Sequence, residues 1–206
     1  MSLALHDIGK ACSNYQGAVK VMNGKCRAGF KYHEVISAVL VAEALSNLQQ
    51  LSEPIKCVIT LAILNHHYVM RTLKINSRSY YGFINDVLKS SGSIMREAAD
   101  VLKEISMELD LRSPLVNDVI NHLAQLCSVD LRNALMYLIA GIAGRPGGYK
   151  FLEHEPVSAY YLASALAGLI NISDSISAHC ERGGNNVFVE SILKELGASC
   201  NTLFNH

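Results

Sequence analysis

Apolar residues recur three and four positions apart in one stretch of this chain after another, which is the period of helices and not of strands. Residues 34–50 set it out with Val35, Ile36, Val39, Leu40, Ala42 and Leu45. Similar spacing predicts helices from Leu3 to Tyr15, from Ile55 to Tyr68, near 79–90, 93–109, 114–127 and 129–143, from Pro156 through Ala178, and near 187–197. Pro is scarce, at 4 residues, and Trp is absent. The expected fold class is all-α.

The punctuation between these segments agrees with that reading. Asn23-Gly24-Lys25 and Gly29 mark an irregular connection, and Ser52-Glu53-Pro54 resembles a helix start with Pro in the first turn. Gly141, Gly144, Pro146, Gly147 and Gly148 form the strongest break, read as an excursion rather than a domain boundary. Gly183-Gly184-Asn185-Asn186 ends the long helix before it. A chain of 206 residues, 50% of them hydrophobic, is long enough for one substantial core, so residues 1–206 are expected to form a single compact domain.

The formal net charge is zero, but its distribution is uneven. Residues 1–89 hold ten Lys/Arg against five Asp/Glu, and residues 90–206 hold eight against thirteen. A basic first half suits a phosphate-bearing ligand and equally suits an ordinary solvated surface. The six cysteines are scattered without a CxxC pair, which argues against a structural zinc knuckle and for most of them as core thiols. With no signal-like leader and no apolar run of about 18 residues, the expected location is the cytoplasm, without a membrane partner.

Residues with chemistry stand out against this apolar background. His6 and Asp7 are adjacent in the run Leu3-Ala4-Leu5-His6-Asp7-Ile8-Gly9-Lys10, where an unpartnered carboxylate is expensive to bury. A metal ion offsets that expense. Imidazole nitrogen with carboxylate oxygen suits Mn, Fe, Co, Ni or Zn, and one carboxylate can bridge two ions. Gly9 admits close approach of another backbone or a substrate. Lys10, four residues after His6 and so on the same helical face, is placed to neutralise charge on a phosphate.

Three further features follow: Tyr32-His33-Glu34, Asn65-His66-His67, and Asp174 within the apolar stretch of residues 169–178. Taken singly, each has an ordinary structural reading as a satisfied core histidine, a helix-end pair, or a capping or salt-bridged carboxylate. Taken together they form an order, HD then H then HH then D. The gaps are 26 from Asp7 to His33, 33 from His33 to His66 and 107 from His67 to Asp174, on successive predicted helices.

This order resembles the HD superfamily of metal-dependent phosphohydrolases, and the resemblance covers residues 3–179 in outline. It implies a helical bundle in which histidines and aspartates of neighbouring helices hold metal. The cyclic-dinucleotide phosphodiesterase branch expects a different continuation after its paired histidines than Tyr68-Val69-Met70. The run Phe30-Lys31-Tyr32-His33-Glu34-Val35-Ile36-Ser37-Ala38, followed by Asn65-His66-His67, looks most like the HD nuclease of type I CRISPR interference.

What this resemblance implies is a stand-alone HD subunit, or one fused to a helicase, that cuts single-stranded DNA. Single-stranded RNA is the related substrate, and a CRISPR helicase subunit with its effector complex are the implied partners. His6, Asp7, His33, His66, His67 and Asp174 become ligands of up to two divalent ions (Mn, Ni, Co, Fe or Zn, with Mg as an alternative). Asp7 and Lys10 become catalytic, Lys10 as the phosphate-side cation. Lys31, Arg71, Lys74 and Arg78 become candidates for tracking a nucleic-acid backbone. Members of that family usually carry one more ligand histidine in a preceding helix, and no histidine precedes His6 here. The expectation is either that the usual N-terminal helix is missing or that a water or another side chain replaces that ligand. The other function classes are a phosphohydrolase of small nucleotides and an inactive docking subunit.

Overall fold

The computed structural model describes residues 5–22, 25–27, 29–67, 80–92, 100, 103–104, 107, 114–125, 130–153, 157–182 and 186–204; at 20–22, 25–27, 80–81, 114–116, 123–124, 182 and 203–204 it describes the backbone alone. The fold class is all-α, with one two-stranded hairpin among the described residues. Contacts cluster into two units, Met1–Ala167 and Gly168–His206, where the sequence suggests one domain.

The first unit is organised around α2 (His33–Ser46), preceded by a 3-10 helix (Ile8–Ala11), α1 (Ser13–Gly17) and the strands β1 (Lys20–Met22) and β2 (Lys25–Arg27). Every residue of α2 from His33 to Leu45 is buried except the half-buried Glu43. A helix apolar on all sides is a central helix. It packs against the 3-10 helix, α3 (Glu53–Asn65), α4 (Tyr80–Ser91), α5 (Pro114–Gln125) and α6 (Leu131–Ile142). Pro54 sits in the first turn of α3, and Asp130 caps α6 by accepting from the backbone N–H groups of Arg132 (2.9 Å) and Asn133 (3.4 Å).

After α6 the chain folds back on itself into α7 (Lys150–Glu153). Gly148 lies so close to Gly141 that a Cβ there would collide with the Gly141 backbone. This close passage seats Tyr149, buried and stacked on Phe151, with its hydroxyl donating to Glu43 Oε2 of α2 at 2.5 Å. Burial and the Glu43 carboxylate push the Tyr149 phenol well above its usual range, so it remains a donor. α8 (Val157–Arg182) follows, with its residues up to Ala167 in the first unit.

The second unit holds the remainder of α8 with α9 (Val187–Glu195) and α10 (Cys200–Phe204). Asn186 caps α9 by accepting from the Val189 N–H at 3.3 Å. Within this unit Cys180 and Cys200, 20 positions apart, are joined by a disulfide. These two therefore stand apart from the core thiols expected of most of the six. Closing a loop of that length stabilises by about 3 kcal/mol on the chain-entropy view. Cys12 and Cys57 are free and buried, and burial pushes the Cys12 thiol up to about 12.

Two more expectations change. The helix expected from Leu3 to Tyr15 is broken into the 3-10 helix and α1, which part at Cys12 in extended conformation (φ −79, ψ 144). The expected irregular connection around Asn23-Gly24 carries the antiparallel pairing Lys20↔Arg27, Val21↔Cys26 and Met22↔Lys25. The helix expected over 93–109 lies mostly outside the described residues. Among the described residues no helix is long and apolar enough to cross a membrane.

Candidate metal centre

The short connection between α2 and α3 makes them antiparallel neighbours, so the start of one lies beside the end of the other. His33 opens α2, and His66 and His67 follow α3 directly. One ligand atom from each of these three histidines lies within 4.8 Å of the other two. The sequence order thus becomes a spatial cluster in this part of the site.

Hydrogen bonds at the far side of two rings fix what faces the cluster. His33 Nδ1 donates to the Phe30 carbonyl at 2.6 Å, and His66 Nδ1 donates to the Ile63 carbonyl at 2.5 Å. A neutral imidazole with its proton on Nδ1 presents a lone pair at Nε2, the tautomer that binds metal. His66 Nε2 is fully buried and has no hydrogen-bond partner among the described residues. His33 Nε2 lies 3.1 Å from His67 Nε2 and 3.2 Å from Asp7 Oδ1. Two imidazole nitrogens and a carboxylate are thus crowded together, a donor set that a cation fits.

The separations themselves suit a metal. Nitrogen and oxygen ligands about 2.1 Å from one ion sit about 3.0–3.4 Å from each other at octahedral or tetrahedral angles. Asp7 Oδ1 is buried and makes no well-directed hydrogen bond despite the nearness of His33. An orphaned imidazole nitrogen, an orphaned carboxylate oxygen and a histidine-rich donor set fit a divalent transition ion.

Asp7 reaches this cluster because the segment before α2 is pressed onto it. Gly9 donates its N–H to Ser37 Oγ at 2.8 Å, and a Cβ on Gly9 would collide with the His33 carbonyl oxygen and stand 2.8 Å from Ser37 N. The close approach that Gly9 permits is therefore that of the α2 backbone. Burial alone raises the Asp7 carboxyl, but a hydrogen bond from His33 when its Nε2 carries a proton, the paired Lys10 and the charge of His6 outweigh it and hold Asp7 well below the usual carboxylate range. Asp7 is thus an anion at neutral pH. His6 Nε2 lies 3.5 Å from Asp7 Oδ2, and its ring meets His66 edge-on with centroids 5.0 Å apart.

Lys10 is not on a common helical face with His6, because residues 6–7 form a turn before the 3-10 helix. Its ammonium pairs instead with Asp7 Oδ2 and lies 5.5 Å from the centre of the Phe30 ring. Lys31 is exposed and lies over the Tyr32 ring at 4.6 Å. Asp174 is half-buried on the part of α8 that belongs to the second unit. Arg71, Lys74 and Arg78 lie outside the described residues.

Two site features escape the sequence reading. Tyr32, one residue before His33, adopts the left-handed conformation (φ 68), uncommon for a residue with a large side chain. Its ring packs edge-on against Phe83 of α4, with centroids 5.6 Å apart. Glu34 is buried beside His33, and the only signal for it was a carboxylate opening an apolar helix. The chain matches no protein family, no curated protein and no solved structure.

The metal-free cluster has a pH signature. Burial, with the neighbouring histidines, holds His66 down at about 4 against an Ile63 hydrogen bond that favours the proton. Below about 6.5 the unfolded chain takes up a proton at His66 that the folded protein refuses until about 4, so stability falls as pH falls through this window. The expected loss between pH 7 and pH 4 is about 3 kcal/mol. Urea denaturation of chelator-treated protein at pH 7, 5.5 and 4.5 measures it, and His66→Gln flattens the slope. An equal slope in that variant contradicts the assignment.

Proposed function

We propose that this chain is a metal-dependent phosphodiesterase of the HD superfamily, and that its substrate is single-stranded nucleic acid, DNA first. The observation that carries the reading is the convergence of His33, His66 and His67 on one another with Asp7 at 3.2 Å from His33. The motif order supports the narrower assignment to the HD nucleases of type I CRISPR interference, with a helicase subunit and effector complex as partners in the cytoplasm. The order also brings Asp174 into the ligand set and raises the ion count to two.

A divalent ion (Mn, Ni, Co, Fe or Zn, with Mg as an alternative) held at this cluster supplies Lewis acidity toward a phosphoryl oxygen and lowers the pKa of water. The protein's own part is positional. The Phe30 and Ile63 carbonyls keep the Nε2 atoms of His33 and His66 unprotonated and aimed inward. Asp7 adds negative charge at the cluster, and Lys10 places a cation beside Asp7 for a substrate phosphate. Exposed Lys31 continues the positive charge outward along a polynucleotide backbone.

The test is incubation of Mn-loaded protein with labelled single-stranded DNA, single-stranded RNA, nucleoside triphosphates and cyclic nucleotides. Cleavage of the DNA is expected, falling steeply as salt rises. Turnover of mononucleotides alone replaces the nuclease with a small-nucleotide phosphohydrolase. Metal binding without any turnover leaves a docking subunit.

A further inference from the structure

Glu34 has no part in the ligand set, yet it is a carboxylate only 3% exposed in the first turn of α2, followed by the apolar run Val35 to Ala42 interrupted only by Ser37. Its Oε2 lies 3.3 Å from Nδ1 of His33. The same Nδ1 donates to the Phe30 carbonyl at 2.6 Å. The one N–H of this ring goes to the Phe30 carbonyl, and the Glu34 carboxylate stands beside the same nitrogen without a hydrogen bond from it, while the opposite nitrogen faces Asp7 and His67.

We propose that Glu34 is a positioning residue that acts through His33, its buried carboxylate making the Nε2 lone pair a stronger donor to a metal ion. The inference rests on the metal reading of the histidine cluster. A carboxylate behind an imidazole fixes the ring's orientation and tautomer and raises its basicity as a ligand. A cation drawing electron density from Nε2 in turn makes Nδ1–H a better donor, so metal and carboxylate reinforce each other across one ring. The Phe30 carbonyl can fix the tautomer but lacks the charge. A negative charge in the first turn of α2 is also favoured by the helix dipole, a role that needs no metal.

Glu34→Gln separates the two roles, because the amide keeps the shape and an acceptor oxygen while losing the charge. Mn²⁺ affinity is measured by competition with a chelator, and the fold by urea denaturation of the chelated protein. The expected result is about 10-fold or greater weakening of Mn²⁺ binding, with the His33 imidazole ¹⁵N spectrum of the chelated variant keeping the Nδ1–H form that the Phe30 carbonyl fixes. Equal Mn²⁺ affinity in wild type and variant overturns the proposal, whatever the variant does to stability. Wild-type protein that binds no Mn²⁺ overturns it together with the metal reading, and so the two failures are distinct. Should Glu34→Gln fail to fold, Glu34→Asp takes its place: it keeps the charge but draws it back by one methylene, and a weakened affinity is again expected.

Discussion

An Asp7→Asn protein is expected to bind Mn²⁺ at least about 100-fold more weakly than wild type, because loss of a direct ligand, the role proposed for Asp7, exceeds the 10- to 100-fold effect of an outer partner. Its chelated form nevertheless unfolds within about 1 kcal/mol of wild type. The carboxylate side chain is 35% exposed, and its pairing with Lys10 is a partly solvated one that contributes little to folding. Asn keeps the shape but surrenders the charge that faces His33 Nε2 at 3.2 Å. Chelator competition measures the first effect and urea denaturation the second. Undiminished Mn²⁺ affinity would remove Asp7 from the metal centre.

Gly9→Ala has the opposite profile, because here fold and site fail together. A methyl group meets the His33 carbonyl and the Ser37 amide, both of them backbone of a helix buried on all sides, so α2 cannot yield. The 3-10 segment must lift instead. It then loses the buried Gly9–Ser37 hydrogen bond and carries Asp7 away from His33. Overpacking and the lost bond together cost about 3 kcal/mol. Gly17→Ala is the matched control, since nothing lies within 4 Å of a Cβ there. A Gly9→Ala protein as stable as the Gly17→Ala control contradicts this account.

Helical periodicity made most of the described helices legible before any coordinates, because burial of an apolar face repeats in the sequence at the helical period. Residues 34–50, read as a helix, cover α2 from Glu34 to its end at Ser46, and the apolar run after Ser52 contains α3. The hairpin of residues 20–27 was missed although Asn23-Gly24 is a strong turn signal, because its strands are three residues each and too short for alternation to register. The break of the first helix at Cys12 depends on the seat of Gly9 against α2, a tertiary fact with no local mark. The disulfide was likewise invisible, since scattered cysteines do not disclose which two will meet.

The site was legible to a similar depth. Residue types and order brought His33, His66 and His67 into one set, and the chain folds so that their ligand atoms meet. What the order does not encode is tautomer. That depends on backbone carbonyls three residues before His33 and His66, Phe30 and Ile63, which any residue type would supply. Nor does it encode Lys10's orientation, since a helix through residues 6–10 was assumed and a turn was found.

The Tyr149–Glu43 hydrogen bond joins positions 106 apart in the chain. α2 is made before α6 and the turn bearing Tyr149, which clothe one side of it: α6 begins 85 positions after Ser46, and Tyr149 comes 106 after Glu43. A ribosome therefore releases the most apolar helix of the first unit long before its cover exists. Until residue 149 and beyond have emerged, the nascent chain presents a sticky, half-wrapped α2, with the histidines of the candidate metal centre already translated. Contacts of such long sequence separation form late and slowly. Truncations that end before α7 are accordingly expected to need a chaperone where the full chain does not.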